Sequence, residues 1–323
     1  MSDLPRLSYD GAVDLLISAE RPVIVSHARP DGDTLGCASA LCLFYAKLGK
    51  PAAFLCPDPI PRRLAFLFEG VELAELPPEG EGFYFAVDVA SPVQLGNLEG
   101  TCGERFSLLL DHHESGCPFA PYIMEPDAAA AGEVVYAVMR RAIERGLCPE
   151  IDEEIATRLY AALSSDSGGF RFPNTTPLTH RIAAELLELG ARAEEVNYAL
   201  FTAKSPEQLA AERIALENLH TAADGRISYV LLTRAARGGL ADEYFETAID
   251  VARSVAGASL YFSMREIGDG EFRASLRARN SDVASVAVSF GGGGHLRAAG
   301  CTVKAADIEE AADRILARLL ELI

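Results

Sequence analysis

One short segment near the N-terminus combines an imidazole with two carboxylates. The segment HARPDGDTLG (27–36) carries His27, Asp31 and Asp33 within seven residues, directly after an apolar run. Carboxylate oxygens and imidazole nitrogens suit a hard divalent cation such as manganese or magnesium. Taken alone, the segment is explained equally well as a polar turn, with Asp31-Gly32 as its turn residues.

Acidic residues and histidines also lie at the ends of three other segments. One apolar run closes with Asp88, and another closes with Asp111, His112 and His113. A helical segment carries Asp166 just before two glycines. Because parallel strands present their carboxyl ends at one edge of a sheet, we expect these groups to share a pocket. So many buried carboxylates need cations to balance them, which disfavours a purely structural polar cluster.

The elements that must position these residues alternate along the first half of the chain. Short apolar runs, typical of strands buried on both faces, occur at 22–27, 52–56, 83–89 and 106–113. Helical segments are predicted at 36–47, 62–68, 130–145 and 153–164. This alternation predicts an α/β fold with a doubly wound parallel sheet.

The second half is predicted to hold a helical connector and a smaller α/β domain with a mixed sheet. One predicted helix, HRIAAELLELGA, begins at His180, and a second starts at Ser205-Pro206, contains His220 and stops at Asp224-Gly225. Strands are expected at 226–233, 258–266 and 271–279, a helix at 244–257, and a hairpin turn at 268–270. We therefore predict a domain at 1–190, a connector at 191–225 and a domain at 226–323.

A glycine-rich segment near the C-terminus could approach a phosphate. Four consecutive glycines precede His295, and such backbone amides can bind anions, although a glycine turn alone is more often structural. Arg277 and Arg279 are two positions apart on a predicted strand and so share a face. Arginine is well suited to bidentate phosphate binding.

Taken together, these motifs resemble the DHH phosphoesterase family. HARPDGD, Val87-Asp88, the Asp111-His112-His113 triplet and SSDSGGFRF match its four motifs in order and spacing, and FGGGGHLRAAG (290–300) is similar to the DHHA1 signature. Within the family, the chain resembles the NrnA-like branch of oligoribonucleases that also dephosphorylate pAp. Family II pyrophosphatases fit less well, because their second domain lacks a glycine-rich GGGH loop. The resemblance implies a DHH domain at 1–190 and a DHHA1 domain at 226–323.

The resemblance also implies a centre of two manganese ions, for which magnesium or cobalt could substitute. The implied ligands are His27 and Asp31 for one ion, Asp33, His112 and Asp166 for the other, and Asp88 as the bridge. His113 would face the scissile phosphate, and Asp111 would orient the neighbouring imidazoles. The expected substrate-binding residues are Arg277, His295, Gly292, Gly293, Gly294, Arg279, Phe170 and Arg171, although Phe170 could equally be a packed aromatic.

Composition limits the partners and the compartment. The chain has 29 basic and 47 acidic residues, which argues against binding long nucleic acid, although bound cations can reverse the field locally. Seven cysteines without a CxxC pair, no signal peptide and no membrane-length apolar run predict a cytoplasmic protein. We expect short RNA, pAp or a dinucleotide as substrate, no long nucleic acid and no membrane, and the sequence leaves a homodimer open.

Other functions are weighed against this one. A stand-alone phosphodiesterase for cyclic di-AMP or pApA would use the same motifs, and the sequence does not separate it from the oligoribonuclease. A RecJ-like exonuclease is less favoured, because the chain is short and lacks an added nucleic-acid-binding domain. A non-catalytic binding protein would not need a complete set of metal ligands.

Overall fold

Two separate sheets organise the chain, one in each of two units. The computed structural model describes residues 4–74, 82–103, 105–114, 116–148 and 150–323. The first unit is Met1–Ala203 and the second is Lys204–Ile323. The boundary falls inside the segment 191–225, and the helix that follows it belongs to the second unit.

The first unit contains a five-stranded parallel sheet in the order β2-β1-β3-β4-β5. Its strands are β1 Pro22–Val25, β2 Ala53–Leu55, β3 Phe83–Val87, β4 Phe106–Asp111 and β5 Tyr122–Met124. Its helices are α1 Tyr9–Ser18, α2 Gly32–Lys47, α3 Glu99–Cys102, α4 Ala131–Glu144, α5 Glu153–Asp166, α6 Pro177–Glu188 and α7 Ala193–Asn197. The predicted parallel α/β architecture is confirmed.

Both faces of this sheet are buried, as the apolar strands predict. Ile24 and Phe85 belong to a core cluster that they share with helices α1, α2, α4 and α5. The alternate side chains Val23 and Tyr84 belong to a second cluster, packed with the 3₁₀ helix Pro92–Leu98. This double burial leaves the carboxyl edge of the sheet as the place where polar side chains gather.

The second unit contains a mixed six-stranded sheet in the order β10-β11-β9-β8-β7-β6. Its strands are β6 Leu219–Ala222, β7 Ile227–Leu232, β8 Leu260–Gly268, β9 Glu271–Ala278, β10 Gly293–His295 and β11 Ala298–Lys304. Its helices are α8 Pro206–Glu217, α9 Ala248–Arg253, α10 Val283–Ser289 and α11 Ile308–Leu319. The β7–β8 pair is parallel and the other pairs are antiparallel, which confirms the predicted mixed sheet.

Several predicted elements differ from those observed. Helix α8 starts at the predicted Ser205 cap but ends at Glu217, and β6 then pairs with β7. His220 therefore lies in a strand, where its ring stacks on Tyr229, because the sheet ladder satisfies this backbone better than a longer helix. The predicted helix at 62–68 is a 3₁₀ helix.

The described ranges include no helix that is both long and apolar enough to span a membrane.

Candidate metal centre

The segment after β1 is a helix start rather than a free turn. Asp31 is the N-cap of α2, and its Oδ1 accepts hydrogen bonds from the backbone amides of Asp33 at 3.0 Å and Thr34 at 3.2 Å. Helix α2 thus begins at Gly32, earlier than the predicted residue 36. The Thr34 hydroxyl donates to the carbonyl of Val87 at 2.9 Å, which ties the helix start to the end of β3.

Asp33 lies in the first turn of α2 and is completely buried. Its Oδ2 accepts from the amide of Ala131 at 2.6 Å, and its Oδ1 accepts from the amide of Gly132 at 3.0 Å. These amides belong to the first turn of α4, where unsatisfied backbone N–H groups favour a carboxylate. The start of α4 therefore fixes the orientation of Asp33.

Asp88 follows β3 directly and has a left-handed backbone with φ of +59°. Its amide donates to the carbonyl of Leu110 at 2.9 Å, which holds this strained residue beside β4. Its Oδ2 lies 3.3 Å from His27 Nε2, and its Oδ1 lies 3.6 Å from His112 Nε2. Asp88 therefore stands between the two imidazoles.

The triplet that ends β4 is organised by its own carboxylate. The Oδ1 of Asp111 accepts from the amide of His112 at 2.8 Å and lies 2.7 Å from His113 Nδ1. The carbonyl of Ala128 lies 3.1 Å from His112 Nδ1. With Nδ1 as the donor in both rings, the Nε2 atom of each imidazole is free to bind a ligand.

The structure brings all six expected metal ligands together at the carboxyl edge of the first sheet. Three groups of side chains each offer ligand atoms within 4.8 Å of one another: His27, Asp31 and Asp88; Asp33, His112 and Asp166; and Asp88, His112 and His113. The first two groups correspond to the two ion sites expected from the sequence. Asp88 belongs to the first group and lies beside the second.

The electrostatics of the cluster favour cations. Burial raises the pKa of Asp33 well above its ordinary value, and the carboxylates of Asp88 and Asp166 raise it further. Burial also raises the pKa of Asp88 to about 6. For His27, burial lowers the pKa, but the nearby carboxylates of Asp31 and Asp88 together outweigh this and raise it to about 11. Divalent cations would supply the positive charge that protons otherwise provide here.

Asp166 reaches the cluster because α2 and α5 pack closely. A Cβ atom at Gly36 would lie 2.5 Å from the carbonyl oxygen of Arg158, and one at Gly32 would lie 2.7 Å from the Ser165 side chain. Asp166 is the last residue of α5, and its Oδ2 lies 3.3 Å from His112 Nε2. Glycine in α2 therefore sets the distance between the two helices and so the position of Asp166.

The segment at the start of α4 also supports the cluster, and this role was not predicted from the sequence. Besides the amides that hold Asp33, it includes the Ala128 carbonyl that faces His112. The buried carboxylate of Glu133 accepts from the Thr179 hydroxyl at 2.6 Å and from the amide of Ala129 at 3.3 Å, and so braces the segment against α6. The run of four alanines before Gly132 carries no chemical signal, so only the fold reveals this role.

In the second unit, the expected phosphate-binding residues lie at the β9–β10–β11 end of the sheet. Arg277 is half-buried in β9, and burial lowers its pKa. Arg279 lies just past the end of β9, and its Nε donates to the Tyr261 hydroxyl at 2.9 Å. His295 is exposed in β10.

The glycine segment is partly a strand rather than an open loop. Gly293 and Gly294 belong to β10, which pairs with β11. A Cβ atom at Gly292 would lie 2.2 Å from the carbonyl oxygen of Gly300, and one at Gly294 would lie 2.5 Å from that of Ala298. Close backbone approach inside the sheet therefore explains two of these glycines.

The remaining expected substrate residues follow helix α5. Phe170 packs at the core, with ring centroids 5.8 Å from Tyr160 and 5.3 Å from His180. The guanidinium of Arg171 lies 5.2 Å from the centroid of the Phe201 ring. These contacts give both side chains a packing role in the first unit.

Comparison with protein families gives two matches. Residues 21–163 match the model of the DHH family, N-terminal domain, and residues 230–323 match that of the DHHA1 domain. The bifunctional oligoribonuclease and PAP phosphatase NrnA of Thermus thermophilus is 30% identical, over 95% of this chain and 92% of that protein. The enzyme of the same name from Bacillus subtilis is 24% identical, over 92% of this chain and 93% of that protein.

Solved structures share the fold. An exopolyphosphatase-related protein from Bacteroides fragilis superposes with a TM-score of 0.84 at 22% identity, covering 97% of this chain and 95% of that one. The exonuclease RecJ bound to manganese superposes with a TM-score of 0.50 at 16% identity, covering 100% of this chain and 97% of that one.

Proposed function

This chain belongs to the DHH family of phosphoesterases and carries a DHHA1 domain, and on that premise we propose that it hydrolyses short oligoribonucleotides to mononucleotides and removes the 3′-phosphate of pAp. The proposal extends to this chain the activities in the names of the Thermus thermophilus and Bacillus subtilis relatives. Each of these proteins matches over more than nine-tenths of both chains.

The observation that carries the proposal is the buried cluster of carboxylates and imidazoles at the first sheet edge. Its mixed oxygen and nitrogen donors suit manganese. The buried Oδ1 of Asp88 has no hydrogen-bond partner among the described residues, as expected of an atom reserved for a cation. We assign one ion to His27 and Asp31, a second to Asp33, His112 and Asp166, and the bridge to Asp88.

Two such ions, when bound, supply an acidified water and neutralise the phosphate charge. The protein's own residues hold and orient the reacting groups. The Asp111 carboxylate accepts from His113 Nδ1 and raises the pKa of His113, so the protonated imidazolium can direct Nε2–H at a phosphate oxygen and stabilise charge that develops there. In the second unit, Arg277, His295 and the glycine segment are proposed to bind the nucleotide away from the scissile bond.

A parallel assay tests the proposed substrates. Purified full-length protein is incubated in manganese with pAp, pApA, cyclic di-AMP and a five-nucleotide RNA, and kcat/KM is measured for each. The proposal expects the highest values for the RNA and pAp. Turnover of cyclic di-AMP that exceeds both would replace this substrate assignment with a cyclic dinucleotide phosphodiesterase.

The metal assignment makes a separate prediction for Asp88. Asp88→Asn keeps the shape of the side chain but removes the charge that joins the two ligand groups, so turnover should fall by about 10²-fold or more. Metal content is measured together with kcat, and should fall below two ions per chain. Asp14→Asn, on the surface of α1, is the control and should leave both unchanged. An Asp88→Asn protein with native turnover and two bound ions would show that the bridge is wrong.

A further inference from the structure

One face of the second unit's sheet is apolar. The other, polar face carries apolar side chains of β7 and Tyr261 where α8 and α9 pack, but polar side chains on β9. Phe272 and Leu276 of β9 belong to the core that includes helices α10 and α11. Because side chains alternate along a strand, Arg273, Ser275 and Arg277 lie on the other face. Arg273 is exposed, and it marks a part of this face that is open to solvent.

Strand pairing arranges the polar face in rows across β8, β9 and β11. The rows are Arg265–Arg273–Thr302, Ser263–Ser275–Gly300 and Tyr261–Arg277–Ala298. The small side chains of the middle row form a floor between two rows that contain arginine. A depression beside the glycine segment is lined by Arg273, Ser275 and Thr302, by glycines 291, 292 and 300, and at its apolar side by Ala274, Phe290 and Cys301.

The donors in this depression are unpaired. Within the described part of the chain, the guanidinium of Arg273 and the hydroxyls of Ser275 and Thr302 have no hydrogen-bond or ion-pair partner. Arg265, in contrast, donates to the carbonyl of Asp242 at 2.6 Å. A guanidinium and two hydroxyls on one concave surface are suitable donors for a phosphate group.

The pairing of Arg265 with Arg273 is a second indication that this face binds an anion. Arg265 and Arg273 face each other directly across β8 and β9, and like charges in such a pair destabilise a sheet. Burial lowers the pKa of Arg265, and the charge of Arg273 lowers it further against the opposing effect of Glu246. A bound anion would offset this repulsion.

We infer that the depression binds a phosphodiester group of the substrate RNA, with Arg273 as the bidentate donor and Ser275 and Thr302 as further donors. Arg273 lies four residues from Arg277 along β9, about 13 Å away at the usual strand rise. The phosphate at Arg273 is therefore a different one from the phosphate proposed at Arg277. The inference rests on the proposed oligoribonuclease function and adds a second phosphate subsite to it.

Direct binding tests the subsite without turnover. A fluorescent five-nucleotide RNA is titrated with the metal-free full-length chain at several salt concentrations. Arg273→Gln should weaken binding about tenfold, and should reduce the slope of log K against log salt by about 0.7. Arg273→Lys should keep the slope but lose part of the affinity, because lysine lacks the bidentate fork.

Arg318→Gln is the matched control. It makes the same charge change on α11, a helix of the opposite face, and should alter neither affinity nor slope. If Arg318→Gln loses as much RNA affinity as Arg273→Gln, the effect is one of net charge alone, and the inference is overturned. Unchanged RNA binding by Arg273→Gln would also overturn it.

Kinetics with manganese identify which phosphate is bound. For Arg273→Gln, KM for the five-nucleotide RNA should rise about tenfold with unchanged kcat, and KM for pAp should not change. Equal increases for RNA and pAp would contradict a second subsite. Lost inhibition by inorganic phosphate with unchanged RNA kinetics would mean a free-anion site instead. If the wild-type protein binds RNA but hydrolyses none, the proposed function fails while the binding test of Arg273 still stands.

Discussion

At the scale of single residues, Asp111 governs the two histidines that follow it. Burial raises its pKa, but the hydrogen bond and the charge of His113, together with the amides of His112 and His113, outweigh this and lower it. The carboxylate therefore stays charged and keeps the proton of His113 on Nδ1. This arrangement separates His113, whose Nδ1 is held by Asp111 and which is proposed to contact the phosphate, from His112, whose Nε2 faces three carboxylates.

This separation predicts different effects for His113 and for the metal ligands. His113→Ala should lower kcat by about 10²-fold or more, since it removes a contact that strengthens in the transition state. Metal content should remain at two ions per chain. Steady-state kinetics and metal analysis measure both, with His220→Ala in the second unit as the control. If His113→Ala instead loses an ion, His113 is a ligand, as its place in the third ligand group would allow.

The candidate metal ligands could be predicted because each is a carboxylate or imidazole at a recognisable position in the sequence. Each carboxylate or histidine stands in the segment that follows an apolar run or at the end of a helix, and parallel strands bring their ends together. The supporting contacts were not predictable. The amides of Ala131 and Gly132, the Ala128 carbonyl and Glu133 act through backbone geometry and burial, which the sequence around them does not encode as a motif.

At the scale of elements, the contact between α2 and α5 sets the geometry of the centre. Helix α2 carries Asp33 in its first turn, and α5 carries Asp166 as its last residue. At Gly36, the Cβ that any other residue would add lies within 3.1 Å of three atoms of α5. Two of these atoms are backbone, so a side chain there cannot be accommodated by a rotamer change.

Gly36→Ala should therefore weaken the first unit. Separating α2 from α5 should reduce the free energy of unfolding by about 1–3 kcal/mol, measured by urea denaturation. Gly11→Ala in α1 is the matched control, because a Cβ there meets only ordinary contacts of 3.6 Å or more. Its free energy of unfolding should change by less than about 1 kcal/mol, with alanine favoured in a helix. Equal stability of Gly36→Ala and wild type would contradict the close contact.

Elements were predictable where the pattern was long and apolar. The four expected strands of the first sheet appear, each two residues shorter than its apolar run. Strand β5 was missed because its three residues are too few to show a period. The end of α8 was misplaced because 218–223 shows no helix stop before Asp224-Gly225, whereas the pairing of β6 with β7 ends the helix at Glu217.

At the scale of the whole molecule, positive charge is concentrated on one surface although the composition is acidic. The chain carries a formal charge of -18, yet arginines 265, 273 and 277 share one face of the second sheet. Attraction for a polyanion should therefore be confined to the metal cluster and this face. The net charge could be calculated from the sequence. The arginine rows could not be predicted, because they depend on the register of three strands.

This distribution predicts a short optimum for RNA length. Rates should be highest for about two to five nucleotides and should fall for longer chains, because added phosphates meet acidic surface, and lowering the salt should not rescue them. The measurement is kcat/KM for RNA of two to about 24 nucleotides at two salt concentrations. A value that rises steadily with length would instead favour a processive exonuclease.

The order of the two units along the chain also has a consequence for biosynthesis. All six expected ligands, from His27 to Asp166, precede the end of the first unit at Ala203. Domains commonly fold in sequence as they leave the ribosome. On the proposed assignment, the nascent polypeptide can therefore bind its ions while the second unit, proposed to bind RNA, is still being translated. The proposed ion sites can then be filled from the ions around the ribosome, before the proposed substrate-binding unit has been made.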